Sequence, residues 1–352
     1  MWLKKYGTND NCDKWSKNPK TKGGWTIMSY TFGDNVRISE MRSAYGETLV
    51  RLGGENSDIV CVGGDTTDSL KTKVFGEKFP DRFFNVGIAE ANLVSIAAGL
   101  AIAGKIPFAS TYAAFVPGRC LDQIRNAICY PNLNVKIVVS HAGLSVGPDG
   151  ASHQQIEDIS IMRSLPNMKV LVPSDSVTAK NLIRQIVDIP GPFFVRLARP
   201  STQENYSANS EFKIGKGNVL IDGNDLTLFS CGTMVSSSIH ASNILKKEHG
   251  IFCRVVDMYS VKPIDKDLII KCVKETGSVV SVEEHSVIGG LGSAISDVTS
   301  DYCPTFVKKL GIVDVFGESA RDDEIDQLFD KYGLSPKEIV KNVVELKKSD
   351  RK

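Results

Sequence analysis

Paired cysteines, long apolar runs, an excess of one charge and repeated segments are all missing from this chain, and each absence closes off a class of function. None of its eight cysteines, at positions 12, 61, 120, 129, 231, 253, 272 and 303, stands in a CxxC or CxxxC pair. A small zinc site or a dithiol redox motif needs such spacing. Several sit instead inside apolar patterns, as in DIVCVGG around Cys61 and IFCRVVDM around Cys253. There a thiol behaves as a small buried hydrophobe in a reducing compartment. No apolar run approaches the ~18 residues that span a bilayer, and the opening MWLKKYGTND lacks the apolar centre of a secretory signal. A formal net charge of +1 gives neither nucleic acid nor an anionic membrane a reason to bind. The expectation is a cytoplasmic protein with no nucleic-acid or membrane partner.

What is present suffices for two ordinary domains. The 352 residues are 42% apolar and 24% charged, the balance of a globular chain with full cores. Residues 1–27 stand apart, holding all three Trp and six Lys against two Asp with no helical or strand period. They read as a flexible extension. Beyond them, predicted strands are Asp58–Gly63, Arg82–Val86, Pro107–Thr111, Val135–His141, Lys169–Pro173 and Phe193–Leu197. Predicted helices run Ser39–Leu52, Ala89–Ala103, Leu121–Cys129, Gln155–Ser164 and Val177–Val187. Runs such as NVKIVVS and MKVLVPS are almost wholly apolar, which suits a parallel sheet covered on both faces and linked by right-handed crossovers. Residues 201–214 are polar and read as a linker. A second series follows, with strands Leu226–Cys231, Cys253–Met258, Ser278–Glu283 and Lys308–Val315. Its helices are Val235–Glu248, Asp265–Glu275, Gly290–Ser300 and Ser335–Lys347, the last opened by a capping box of Ser335, Pro336 and Glu338. The expected class is α/β, two doubly wound domains over 28–200 and 215–352.

One stretch organises the rest, RFFNVGIAEANLVSIAAGLAIA from Arg82 to Ala103. Its helix is apolar on nearly every face and reads as buried all round. Glu90 in the first turn either complements the helix N-terminus or is a carboxylate held out of water for chemistry. In open parallel sheets, ligands bind beyond the carboxyl ends of the strands. The polar residues of the first half collect on those loops: Asp65 and Ser69, Glu90, Tyr112 and Phe115, His141, Asp149 and His153, Arg196 and Arg199. Their convergence on one rim points to a site.

These residues carry a resemblance. FFNVGIAEANLVSIAAGLA resembles the transketolase segment that supplies a glutamate to thiamine diphosphate. HAGLSVGPDGASHQQIEDISIMRSLPNMKVLVPSD resembles that family's donor-sugar loop and the strand beyond it. The likeness runs from about Ile38 to about Lys347, and its most specific part is the DG-x-[ST]-HQ-x-x-E core with PNM and a P-x-D strand end. It implies a pyrimidine-binding domain over 28–200 and the family's C-terminal domain over 215–352. It also implies that Glu90 bonds the aminopyrimidine nitrogen of the cofactor, that Tyr112 and Phe115 hold the ring, and that Asp65 lies nearby. His153 corresponds to the histidine at the donor's reacting end, and Asp149 to the acid that reads a sugar hydroxyl. Arg42, Ser69, His141 and Arg199 correspond to the phosphate anchors, and guanidinium, hydroxyl and imidazole groups suit such a dianion. Arg196 competes with Arg199 for that role. The implied reaction moves a two-carbon ketol unit from a ketose phosphate to an aldose phosphate with thiamine diphosphate and Mg2+, Glu90 and His153 being the catalytic pair.

The chain departs from the family pattern in two places. Position 118 is Gly where many full-length transketolases carry a third aromatic, so the ring pocket is expected to be more open or completed otherwise. The family's GDG motif with its downstream Asn, which holds magnesium and the diphosphate, is missing. Gly289-Gly290-Leu291-Gly292 lacks GxGxxG spacing and reads as a tight strand-to-helix turn, with Glu283, Glu284 and His285 beside it as interface or structural groups. The resemblance therefore implies the C-terminal subunit of a split transketolase. A separate N-terminal subunit would bring the diphosphate and metal, two copies of each chain would form a heterotetramer, and an apolar patch would mark the docking face. Three alternatives remain open at this point. A 2-oxo acid dehydrogenase beta subunit usually has paired His in this loop, and a deoxyxylulose-phosphate synthase typically has Ala where Gln154 stands. The third is a non-catalytic homologue.

Overall fold

The structure is a computed structural model that describes residues 37–349. The expected extension over 1–27 lies outside the described residues. The chain forms β1 Ile38–Ser39, α1 Met41–Glu55, β2 Ile59–Gly63, α2 Lys73–Lys78, β3 Phe83–Asn85, α3 Glu90–Ile102, β4 Ile106–Tyr112 and α4 Val116–Gln123. It continues through β5 Lys136–Ser140, α5 Asp158–Ser164, β6 Lys169–Leu171, α6 Ser176–Asp188, β7 Phe193–Arg196 and β8 Thr202–Gln203. Then come β9 Asn218–Ile221, β10 Leu226–Ser230, α7 Met234–Ile244, β11 Cys253–Asp257, β12 Ser260–Lys262 and α8 Lys266–Thr276. Last are β13 Val279–Ser286, α9 Leu291–Tyr302, β14 Val307–Ile312, α10 Ile325–Lys331 and α11 Pro336–Ser349.

Two sheets dominate this α/β fold. The first has strand order β12-β6-β7-β5-β4-β2-β3, parallel but for β12, which runs antiparallel to β6. The second has order β14-β13-β10-β11-β9, parallel but for β9. The apolar strands β2, β5 and β7 are buried at every residue, as the continuous runs require when helices cover both faces. Each fully buried Val, Leu, Ile or Phe side chain stabilises the fold by about 1.5–3 kcal/mol over leaving it in water. One core is common to both sheets, since Val62, Leu93, Ile137 and Phe194 share a cluster with Phe229, Val256, Ile269 and Leu291.

Several boundaries differ from the sequence reading, for local reasons. The first helix begins at Met41 because Ile38 and Ser39 pair antiparallel with Gln203 and Thr202. The helix expected from Gln155 begins at Asp158, since the Gln155 carbonyl accepts from the Gly143 N–H at 2.7 Å. The segment read as a linker contributes β8, and Tyr206 and Phe212 anchor it in an edge-on aromatic chain with Tyr259. The organising helix α3 is not buried all round. Leu93, Val94, Ala97 and Ala98 face the core, but Ser95 and Gly99 are exposed and Ile102 is 75% exposed. Its composition suits a helix covered on two sides, and this chain covers one.

Candidate active site

The carboxyl ends of β2 to β5 and β7 open onto one edge of the first sheet, and the loops there hold the polar residues singled out above. Glu90 is the first residue of α3, only 4% exposed, where a carboxylate complements the unpaired N–H groups of a helix start. Its oxygens lie 3.2 and 3.4 Å from Nη1 of Arg119. The guanidinium of Arg119 rests over the Phe115 ring, 4.1 Å from its centre. Phe115 in turn meets His153 edge-on at 5.4 Å and lies roughly parallel to Tyr112 at 5.8 Å. Tyr112 stacks on His141 at 4.0 Å. A line of rings thus joins His153 to His141 and links the two parts of the site.

Beyond Tyr112 lies a cleft of about 450 Å³ lined by Arg42, Ser69, Tyr112, His141, Asp149 and Arg199, among others. The Tyr112 hydroxyl donates to Ser69 Oγ at 2.8 Å, and Arg42 Nη1 donates to the Ser69 carbonyl at 3.0 Å. Glu40 holds the other side of that guanidinium at 3.3 Å. Burial pulls Arg42 below the usual guanidinium value, with Glu40 opposing and Arg199 reinforcing the shift. His141 is buried, and its Nδ1 shares a 2.7 Å hydrogen bond with Ser140 Oγ. Burial first, then Arg42, Arg199 and His153, push its pKa down to about 2. It therefore meets a ligand as a neutral imidazole. Asp149 ends the turn Leu144–Asp149, and His153 follows with its Nδ1 3.0 Å from Ser152 Oγ. Arg199 Nη1 pairs with Asp322 at 2.6 Å.

Not every candidate lies in this line. Asp65, in a left-handed conformation (φ 60°), is exposed and tied to Asn85, whose Oδ1 also accepts from Gly87 N–H. It belongs to the loop beside Glu90 and not to the cleft lining. Arg196 points into the interior, where its Nε pairs with Asp158 at 2.8 Å and Nη2 donates to the Glu284 carbonyl at 3.0 Å. The Gly289–Gly292 turn is capped by the chain itself, because Glu283 accepts from the N–H groups of Leu291 and Gly292 at 2.6 and 2.8 Å. That carboxylate fills the place an anion would need.

Sequence reasoning missed two participants. Arg119 follows Phe115 by four residues, so helical spacing alone brings it over that ring. Asp322 lies 123 residues from Arg199, and no local pattern announces the pair. The second half also grips the loop over residues 144–153. Glu284 accepts from the Ser145 N–H at 2.6 Å, Gln154 Nε2 donates to the carbonyls of Leu144 and Glu318, and Ala320 N–H donates to the Gly147 carbonyl. Gly143 (φ 80°) is required there, since a Cβ would collide with the Glu284 carboxylate.

Residues 39–204 match the transketolase pyrimidine-binding domain and residues 215–339 the transketolase C-terminal domain. The chain belongs to the transketolase family. It is 46% identical over 313 residues to a transketolase C-terminal section of Methanocaldococcus jannaschii, covering 88% of this chain and 97% of that one. A 6-deoxy-6-sulfo-D-fructose transketolase subunit of Clostridium sp. is 37% identical over 313 residues, covering 88% and 96%. Among solved structures, a split-gene transketolase described as an inactive β4 tetramer superposes with a TM-score of 0.81 at 48% identity, covering 87% of this chain and 98% of that one. The chain therefore spans nearly the whole length of the C-terminal section and subunits it matches.

Proposed function

We propose that this chain is the C-terminal subunit of a two-subunit transketolase, transferring a two-carbon ketol unit between sugar phosphates only when an N-terminal subunit completes the site. The observation that carries the reading is the line of rings, which ties a buried carboxylate, Glu90, to a cleft of cations and hydroxyls. The Glu90–Phe115 corner fits the aminopyrimidine of thiamine diphosphate, since a flat cationic group already lies on that ring face against that carboxylate. Glu90, Tyr112 and Phe115 would hold the ring, with Asp65 on the adjoining loop. Bound there, the cofactor supplies the electron sink that ketol transfer needs. Among the described residues no group of three or more His, Cys, Asp or Glu side chains could hold a metal ion. Mg2+ and the diphosphate are assigned to the partner subunit.

The remaining residues act on the substrate. Arg42 and Arg199 supply charge for a terminal anion, while Ser69 and neutral His141 supply hydrogen bonds. Asp149 reads a hydroxyl along the sugar, and His153, beside Phe115, sits at the reacting end and carries or accepts a proton there. The terminal anion is taken to be phosphate, with the sulfonate named for the Clostridium subunit as the contrasting substrate in assay. The exposed face of α3, together with Ile88 at 75% and Tyr130 at 87% exposure, is the apolar surface on which partner and second copy would seat in a heterotetramer. No described helix is long and apolar enough to cross a membrane, and a cytoplasmic location is proposed.

The test is reconstitution. The purified chain, a transketolase N-terminal subunit carrying the GDG motif, and their mixture are assayed for ketol transfer from xylulose 5-phosphate with thiamine diphosphate and Mg2+. Activity in the mixture alone supports the reading. Full activity in this chain by itself, or none in a stable mixture, defeats it.

A further inference from the structure

Arg119 stands where two groups of the site meet. Its guanidinium is 4.1 Å from the centre of the Phe115 ring, and its Nη1 is 3.2 and 3.4 Å from the two Glu90 oxygens. A flat group that both stacks on that ring face and bonds to that carboxylate has this volume to occupy. Beside it, Gly118 provides no wall, for a Cβ there would meet nothing within 4 Å. The Arg119 side chain is 52% exposed while Glu90 is almost wholly covered. The arginine can therefore swing into solvent without disturbing the fold, and the carboxylate cannot. A guanidinium over an aromatic face is attracted by the ring quadrupole, and a covered carboxylate without a partner is unfavourable. Both effects favour the closed arrangement.

We infer that Arg119 is a placeholder for the cofactor ring, resting on Phe115 and Glu90 until thiamine diphosphate displaces it. The inference depends on the reading of Glu90 and Phe115 as ring contacts. It adds a residue that governs loading. A closed resting state weakens apparent affinity by the fraction of molecules whose slot is open. If about one in ten is open, the apparent Kd is roughly ten-fold above the intrinsic one. The penalty falls on entry, so it slows association and leaves dissociation untouched.

The experiment uses the chain assembled with its N-terminal partner in Mg2+. Thiamine diphosphate Kd is read by calorimetry, and on- and off-rates by stopped-flow fluorescence, for wild type, R119A and R119Q. R119A is expected to bind roughly ten-fold tighter through faster association, at an unchanged off-rate. R119Q keeps the stem without the charge and moves the same way by less; it carries the test if R119A fails to fold. Weaker binding through faster release makes Arg119 a wall of the loaded slot and overturns the inference, as do unchanged constants in both variants. A wild-type assembly that binds no thiamine diphosphate removes instead the reading of Glu90 and Phe115 beneath it.

Discussion

Replacing Glu90 by Gln separates the chemical role of the carboxylate from its structural one. The substitution keeps the shape and changes one oxygen to an amide nitrogen. Two interactions weaken in the fold. The ion pair with Arg119 is one, and because Arg119 is 52% exposed it contributes no more than about 1 kcal/mol. The charge at the start of α3 is the other, at about 0.3–1 kcal/mol. Glu90→Gln should therefore lower stability by about 1–2 kcal/mol in all, well below the ~5–15 kcal/mol that separates folded from unfolded domains. The catalytic effect is larger. An amide cannot take up a proton as a carboxylate does, and loss of a placed acid–base group typically lowers turnover by about 10²–10⁴-fold. The assay is ketol transfer in the reconstituted enzyme at saturating thiamine diphosphate, with a urea melt of the isolated chain as the control for folding. A variant that melts near wild type and turns over within a few-fold of it would refute the role given to Glu90.

Two other perturbations probe the supports of the site. Arg196→Met leaves Asp158, fully buried, without its counter-ion, and breaking such a buried pair destabilises by about 3–5 kcal/mol. A urea midpoint shift equivalent to less than about 1 kcal/mol would contradict that account, and Asp158→Asn combined with Arg196→Met should recover part of the loss. The third concerns pH. His141 is held down to about 2 by burial and by neighbouring cations, far below the ~6.5 of an unfolded histidine. A folded pKa below the unfolded one gives stability that is present above pH 6.5 and lost as pH falls, at up to ~1.4 kcal/mol per pH unit. His240 and His285, both lowered to about 4, act in the same sense, while Glu283 and Asp257, both raised to about 7, act oppositely as pH drops. His141→Gln should make the fall in stability between pH 6 and 4.5 shallower by about one proton's worth. An unchanged slope in urea titrations across that range would show that His141 is not held neutral.

The parts of this molecule legible in the sequence are those that a strand or helix writes locally. The almost wholly apolar runs of β5 and β6 point to a parallel sheet, and the loops that follow β2 to β5 and β7 point to an edge rich in Glu90, Tyr112, Phe115, His141 and Arg199. Short or irregular pieces were illegible. The strand β12 has only three residues, Ser260–Lys262, with no period to detect, yet it crosses from the second half of the chain to the edge of the first sheet. The sequence reading starts a helix at Leu121, whereas α4 begins at Val116 and continues through Cys120, whose backbone angles depart from helical ones. α3 was misread for another reason. Its composition is apolar on nearly every face, while the chain covers only the face of Leu93, Val94, Ala97 and Ala98.

The same distinction governs the site. Groups held within one short stretch, such as Phe115 and Tyr112 one and four residues before Val116, are placed by local geometry. The loop over residues 144–153 is placed by distant ones. Its carbonyls and N–H groups at Leu144, Ser145 and Gly147 are bound by Gln154 and by Glu284 and Ala320 of the second half, at separations of 139 and 173 residues for the last two contacts. Leu144 and Val146 of this loop are fully buried, while the part that carries Asp149 is exposed, so the loop's position rests on polar contacts to a rigid neighbour as well as on those two side chains. The second sheet supplies that neighbour. Glu284 is buried, sits on a central strand, and is itself held by Thr233 at 2.6 Å, which makes it an anchor more rigid than anything the loop could carry. On this argument none of the described residues that flank Glu90 and Phe115 comes from the second half, yet that half sets where the loop over residues 144–153 lies relative to them.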